Sequence, residues 1–142
     1  MDSCHFDIIY QLGDSLSDTD NLICESLVGS LYPFARLPYG ETLFRNATAL
    51  SSGLSLLKPY KEAEANLEHG VSFAIDGSTA LPVETLAAMN IFSPVTSSSL
   101  SVQLDWMHSR FNISCQTQTE CEQNIAKSLF MVGEIGENPF KT

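Results

Sequence analysis

Residues 6–12 read FDIIYQL, a short apolar run rich in β-branched and aromatic residues that stops at Gly13-Asp14-Ser15. It predicts a buried strand ending in a tight turn. Behind Ser and Asp capping candidates, Leu22, Ile23, Ser26 and Leu27 share one helical face, so a short helix is expected next. Pro33, Pro38, Gly40, Gly53 and Pro59 punctuate residues 33–60, which should be mostly loop. The segment KEAEANLEH at 61–69 has high helix propensity with Leu67 as its one sizeable apolar anchor, predicting a short exposed helix ended by Gly70. Val71, Phe73 and Ile75 then alternate with Ser72 and Ala74 as a second strand. Asp76-Gly77-Ser78 turns the chain into a helix over STALPVETLAAMN, with Pro82 near its start. A Ser-rich loop at 93–99 precedes Leu100, Leu104, Met107 and Phe111, whose steps of four, three and four predict an amphipathic helix with Trp106 packing into the core. Residues 129–132 form a third short strand that runs into a loop at 133–138. Strands alternating with helices imply an α/β fold, a parallel sheet covered by helices, with active residues in the loops beyond the strands' carboxyl ends.

Composition narrows the partners. The 142 residues are 44% hydrophobic and 17% charged, which suits one globular domain with a core of its own. Seven Lys+Arg, scattered singly, stand against seventeen Asp+Glu for a net charge of −10. Such a surface cannot neutralise a phosphate backbone or hold to an anionic bilayer, so nucleic acid and anionic lipid are poor partners. No apolar run approaches the roughly 20 residues of a membrane span, and the opening MDSCHFDIIY shows no signal peptide. Two sequons, Asn46-Ala47-Thr48 and Asn112-Ile113-Ser114, are glycan acceptors on the secretory route. Cys115 and Cys121 enclose QTQTE and are a candidate local disulfide, whereas spacing leaves Cys4 and Cys24 unassigned. There is no CxxC pair, so no zinc site is expected, and no cofactor. Asp14, Asp18 and Asp20 lack the glycine and distal glutamate of a calcium loop and read as a solvated helix start.

Three polar positions, Ser15, Gly77 and Asn138, each fall just past the end of an expected strand. A serine at a strand-to-helix turn can expose its hydroxyl, a glycine lets backbone approach a substrate, and an asparagine amide donates a further hydrogen bond. Together they suit a nucleophile with an oxyanion hole. On spacing alone they are equally ordinary turn residues.

The motifs around them shift that balance. FDIIYQLGDSLSDTDN resembles the opening block of the plant GDSL esterase/lipases, a branch of the SGNH hydrolases in which GDS is followed by SDTGN. RLPYGETLF is similar to the family's PYGETFF, GVSFAIDGSTAL to GVNFAVAGATAL, and SLFMVGEIGENPF to SLFLVGEIGGNDY, in the family's order. SPVTSSSLSVQLDWMHSRFN, with Cys115 and Cys121 after it, looks most like the alkaloid-ester branch. The resemblance implies a three-layer, flavodoxin-like SGNH hydrolase fold and ester hydrolysis through an acyl-enzyme. Ser15 would be the nucleophile, with its own N–H, that of Gly77 and the Asn138 side chain as the oxyanion hole. Asp14, Ser17, Asp18 and Asn21 are expected to satisfy the turn and the helix start. A secreted or vacuolar protein acting on a small-molecule ester is the corresponding expectation.

Several departures from the family pattern stand beside the match. Asp20 replaces the glycine of SDTGN, Glu137 precedes Asn138, and Pro139 follows it in place of an acid. The GRxSDGR signature after Phe44 is missing. The family's base is a histidine in an Asp-x-x-His block near the carboxyl end of a much longer chain, and that carboxyl-terminal block has no counterpart here. His5, His69 and His108 read as solvated or structural histidines rather than substitutes. Residues 1–142 are accordingly expected to form a single partial SGNH hydrolase domain with poor turnover on its own. The alternative is a truncated, non-catalytic member that binds a ligand or partner.

Overall fold

Ile8–Leu12 form β1, and residues 9–12 are buried on both faces, as expected of an apolar run inside a parallel sheet. The computed structural model describes residues 6–26, 31, 57–62, 67–92 and 95–136. Within them β1 is followed by α1 (Asn21–Glu25), β2 (Lys58–Pro59), β3 (Gly70–Ser72), α2 (Val83–Ala88), α3 (Leu100–Ser114), α4 (Gln118–Ala126) and β4 (Ser128–Val132). The four strands are all parallel, in the order β2-β3-β1-β4. Tyr10 lies opposite Val71 of β3 on one side and Phe130 of β4 on the other.

The chain therefore leaves β1 toward β3 and later returns to β4 on the opposite flank. Right-handed crossovers running in opposed directions place their helices on opposite faces of a sheet, and two covered faces are observed. On one, Tyr10, Leu12, Val71 and Phe73 form the core cluster under Leu100, Trp106, Met107 and Phe111 of α3. Tyr10 meets Phe111 edge-on at 5.0 Å and stacks on Phe130 at 5.3 Å. On the other face, the Ser72 hydroxyl donates to the Ser17 carbonyl at 3.1 Å. Asn21, fully buried, donates to the carbonyls of Ser72 (2.8 Å) and Ala74 (2.9 Å) and accepts the Lys61 N–H at 3.0 Å. This helix–sheet–helix layering is the α/β architecture expected from the alternation of elements. Among the described residues, no helix is long and apolar enough to cross a membrane.

Four local expectations are corrected. The described parts of 61–69, residues 61–62 and 67–69, are turn and irregular chain rather than helix, because the Lys61 N–H is bound by the Asn21 side chain and the Glu62 N–H by the Pro59 carbonyl at 3.2 Å. The polar stretch after Cys115, for which no element is expected, contains the start of α4, opened by a capping box between Thr117 and Glu120. Asn21 is a cross-strand bridge instead of a cap. On α3, Leu100, Met107 and Phe111 face the core as expected, but Gln103, fully buried, takes the inward place expected of Leu104, which is 44% exposed.

Candidate active site

The strand ends converge at one edge. After Leu12 the chain enters the turn 13–17, in which the Ser17 N–H donates to the Asp14 carbonyl at 3.0 Å and the Asp14 carboxylate accepts the Leu16 N–H at 3.4 Å. Ladder pairing continues past the strands on both sides of this turn. The Ile75 N–H reaches the Gly13 carbonyl (3.3 Å), the Gly133 N–H the Leu12 carbonyl (2.8 Å), and the Asp14 N–H the Glu134 carbonyl (3.0 Å). Ser15 sits half-buried in the turn, between the extension of β3 and that of β4. Because strand order reverses at β1, this is the topological switch point at which open parallel sheets bind ligands.

Gly77 lies in the neighbouring turn, closed by the Ser78 N–H on the Ile75 carbonyl at 3.1 Å. Its φ of +77° and a would-be Cβ only 2.4 Å from the Val95 Cβ leave room for nothing but hydrogen. The structure thus brings the turns of Ser15 and Gly77 side by side. Asn138, with Glu137 and Pro139, lies outside the described residues, which reach Gly136 just beyond β4 on the same edge. A cleft of about 450 Å³ adjoins the Ser15 turn, with Leu16, Met131 and Val132 as its apolar walls and Gln11 and Glu134 as polar ones.

Asp18 joins the two turns from the opposite side. Its carboxylate accepts the N–H groups of Asn21 (2.6 Å) and Leu22 (3.3 Å), capping α1, and that of Asp76 (2.9 Å), next to Gly77. Burial pushes this carboxyl from 3.8 up to about 6, outweighing the backbone donors that pull it down. A carboxyl that is easier to protonate when folded stabilises the fold most below its unfolded value and loses that contribution as pH rises through its folded one. Unfolding free energy should therefore fall between about pH 4 and pH 6 by up to about 3 kcal/mol on account of this group. Denaturant titrations across that range, compared with Asp18→Asn, measure it; parallel pH profiles for the two proteins would refute the assignment.

Neither described histidine reaches Ser15. The His69 carbonyl accepts the Ile9 N–H at 3.1 Å, which puts this exposed residue at the amino end of the sheet, roughly 15 Å of strand away. His5 lies outside the described residues. The Asp-x-x-His spacing by itself does occur, at Asp2–His5 and again at Asp105–His108. On α3 both Asp105 and His108 are exposed, and His108 is about 7.5 Å along the helix axis from Gln103, which touches the Gly13 backbone. Among the described residues, no group of three His, Cys, Asp or Glu is placed to hold a metal.

Cys115 and Cys121 are joined as a disulfide with Cα atoms 5.3 Å apart, while Cys24 is free and exposed. Asn112 is exposed in the last turn of α3, and Asn46 lies outside the described residues. The site residue that sequence reasoning missed is Gln103, whose one visible signal is an amide on the inner side of an otherwise apolar helix stripe.

No protein-family profile and no solved structure matches the chain. Curated proteins do. Acetylajmalan esterase 1 of Rauvolfia serpentina is 38% identical over 95% of this chain and 39% of its own length, and a second acetylajmalan esterase of that plant is 39% identical over 95% and 38%. A GDSL esterase/lipase of Arabidopsis thaliana is 38% identical over 96% of the chain and 39% of its own length. The chain spans about two fifths of the length of the curated relatives it matches. With a parallel sheet that places GDS at its switch point and identity sustained along nearly its whole length, the chain belongs to the plant GDSL esterase/lipase family.

Proposed function

We propose that this chain carries the nucleophile and oxyanion-hole part of a single SGNH hydrolase domain that cleaves a small-molecule carboxylic ester through an acyl-enzyme on Ser15. The observation that carries the proposal is the half-buried Ser15 at the switch point, with the Gly77 turn against it on the β3 side. In the first step the Ser15 Oγ bonds to the ester carbonyl carbon while its proton passes to a base, and the carbonyl π pair moves onto oxygen. The N–H groups of Ser15 and Gly77 and the Asn138 amide would hold that oxyanion. Collapse of the intermediate expels the alcohol with the proton, and water then releases the acid from Ser15 by the same route. The base is assigned to a histidine of the family's Asp-x-x-His block, since His69 stands at the amino end of the sheet and His108 is exposed on α3.

The names of the Rauvolfia relatives, with an apolar cleft lined by Leu16 and Ser17 of the same turn, support an acetyl ester of an alkaloid as the substrate. No cofactor is invoked. In the longest natural form of the protein, acid quenching during p-nitrophenyl acetate turnover should trap an acetyl group on Ser15; acetyl on any other residue overturns the reading. The Cys115–Cys121 disulfide and the exposed Asn112 support passage through the secretory route. Enzymatic removal of N-glycans should then lower the mass of the natural protein, and an unmodified Asn112 with unchanged mass would count against it.

A further inference from the structure

Gln103 lies in the first turns of α3, fully buried beneath the carboxyl edge of the sheet. Its Oε1 accepts the Gly13 N–H at 3.0 Å, and its Nε2 donates to the Gly13 carbonyl at 2.8 Å and to the Ser78 hydroxyl at 2.8 Å. That hydroxyl donates in turn to the Ser98 carbonyl at 2.7 Å. One side-chain amide thus meets both main-chain groups of Gly13, as a neighbouring strand would, and carries the connection across to the adjoining turn. A carboxamide combines an acceptor with a two-proton donor in one planar group, and all three of these contacts are used here. Gly13 stands two residues before Ser15, and Ser78 one residue after Gly77.

We propose that Gln103 is a positioning residue for ester hydrolysis, the clamp that sets the spacing between the turn of the nucleophile and the turn of the oxyanion donor. This rests on the roles given above to Ser15 and Gly77. Gln103 does not touch substrate. It acts through the backbone at 13 and the hydroxyl at 78, so its loss loosens the geometry reached in the transition state more than substrate binding.

Two variants separate the clamp from simple packing. Gln103→Met keeps the length and volume and removes all three hydrogen bonds, whereas Gln103→Glu keeps an acceptor for the Gly13 N–H. In the longest natural form, Gln103→Met should lower kcat for p-nitrophenyl acetate by about tenfold to a hundredfold with KM within about twofold, and Gln103→Glu, which sets a carboxyl oxygen against the Gly13 carbonyl in a buried site, should lose at least as much. Adding Ser78→Ala to Gln103→Met should cost little more than Gln103→Met alone, since both break one chain of bonds. Hydrogen exchange provides an independent reading. Amides of 13–17 and 76–79 should exchange at least about tenfold faster in Gln103→Met, with those of β4 unchanged. Unchanged kcat, a change confined to KM, or loosening spread evenly through the sheet overturns the clamp. If Ser15→Ala hydrolyses the ester as fast as wild type, the nucleophile reading has failed, and exchange alone then decides whether Gln103 couples the turns.

Discussion

Ser15→Ala should lower ester hydrolysis by the longest natural form of the protein about ten-thousandfold or more, with the unfolding midpoint nearly unchanged. The size of the loss follows from the role proposed for it. On that proposal, removing the hydroxyl leaves no atom to form the acyl-enzyme, and what remains is the residual acceleration from the oxyanion hole and from binding. The small structural effect follows from the turn, whose shape is set by main-chain and Asp14 contacts, namely Ser17 on the Asp14 carbonyl, Leu16 on the Asp14 carboxylate and Asp14 on the Glu134 carbonyl. The measurement pairs steady-state p-nitrophenyl acetate kinetics with thermal melting. A variant that melts like wild type and keeps more than a tenth of its rate would exclude Ser15 as nucleophile. One that loses both rate and fold would contradict the account of the turn.

The largest effect on stability is expected at Gly70. Its φ is +129°, and a Cβ built there would lie 1.9 Å from the Ile9 carbonyl oxygen and 2.7 Å from the Ile9 nitrogen. Both atoms belong to the backbone of β1, paired with Gly70 in the sheet. No rotamer change can relieve such an overlap, so β3 must move away from β1 or the residue must change its backbone conformation. Strain at a disfavoured φ and overpacking each cost about 1–3 kcal/mol, and Gly70→Ala should accordingly destabilise the fold by about 3–5 kcal/mol. Gly136 supplies the comparison, because its φ is +112° but the nearest atom to an added Cβ is the Ala80 Cβ at 3.9 Å. Gly136→Ala should cost only the conformational part, about 1 kcal/mol. Chemical unfolding followed by the fluorescence of Trp106, the single tryptophan, compares the two; equal losses would show that close approach at Gly70 is not what the glycine serves.

The elements legible in the sequence are those whose burial matches a simple period. FDIIYQL announces β1 because a strand inside a parallel sheet is largely apolar, and the short apolar run 129–132 announces β4 although that strand lies at the edge of the described sheet and is only partly buried. The GDS and DGS turns were legible for the same reason, as polar punctuation after such runs. α4 was not, since none of its residues is buried and no apolar period exists to read; its Thr117-x-x-Glu120 box was the available signal. At the start of the helix expected at 61–69, the Lys61 N–H is instead held by the Asn21 side chain, a tertiary contact that intrinsic propensity does not contain. Gln103 goes unread and Asn21 reads as a cap for a shared reason. Each is a polar side chain fully buried to satisfy main-chain groups from a distant part of the chain, and a hydrophobicity pattern counts such a residue as surface. On α3 the outward turn of Leu104 accompanies that same burial of Gln103.

The pairing of β1 with β4 also bears on how the protein comes into being on the ribosome. β1 is made first, yet one of its two flanks is closed only by a strand 120 residues later in the chain. At roughly 5–20 residues per second, that leaves about 6–24 s of synthesis during which the Phe130 side of Tyr10 has no neighbour. Such distant pairing is slow to form and exposes an unpaired strand edge in the meantime. The Phe130 flank of β1 therefore stays open until the polypeptide through Val132 has emerged.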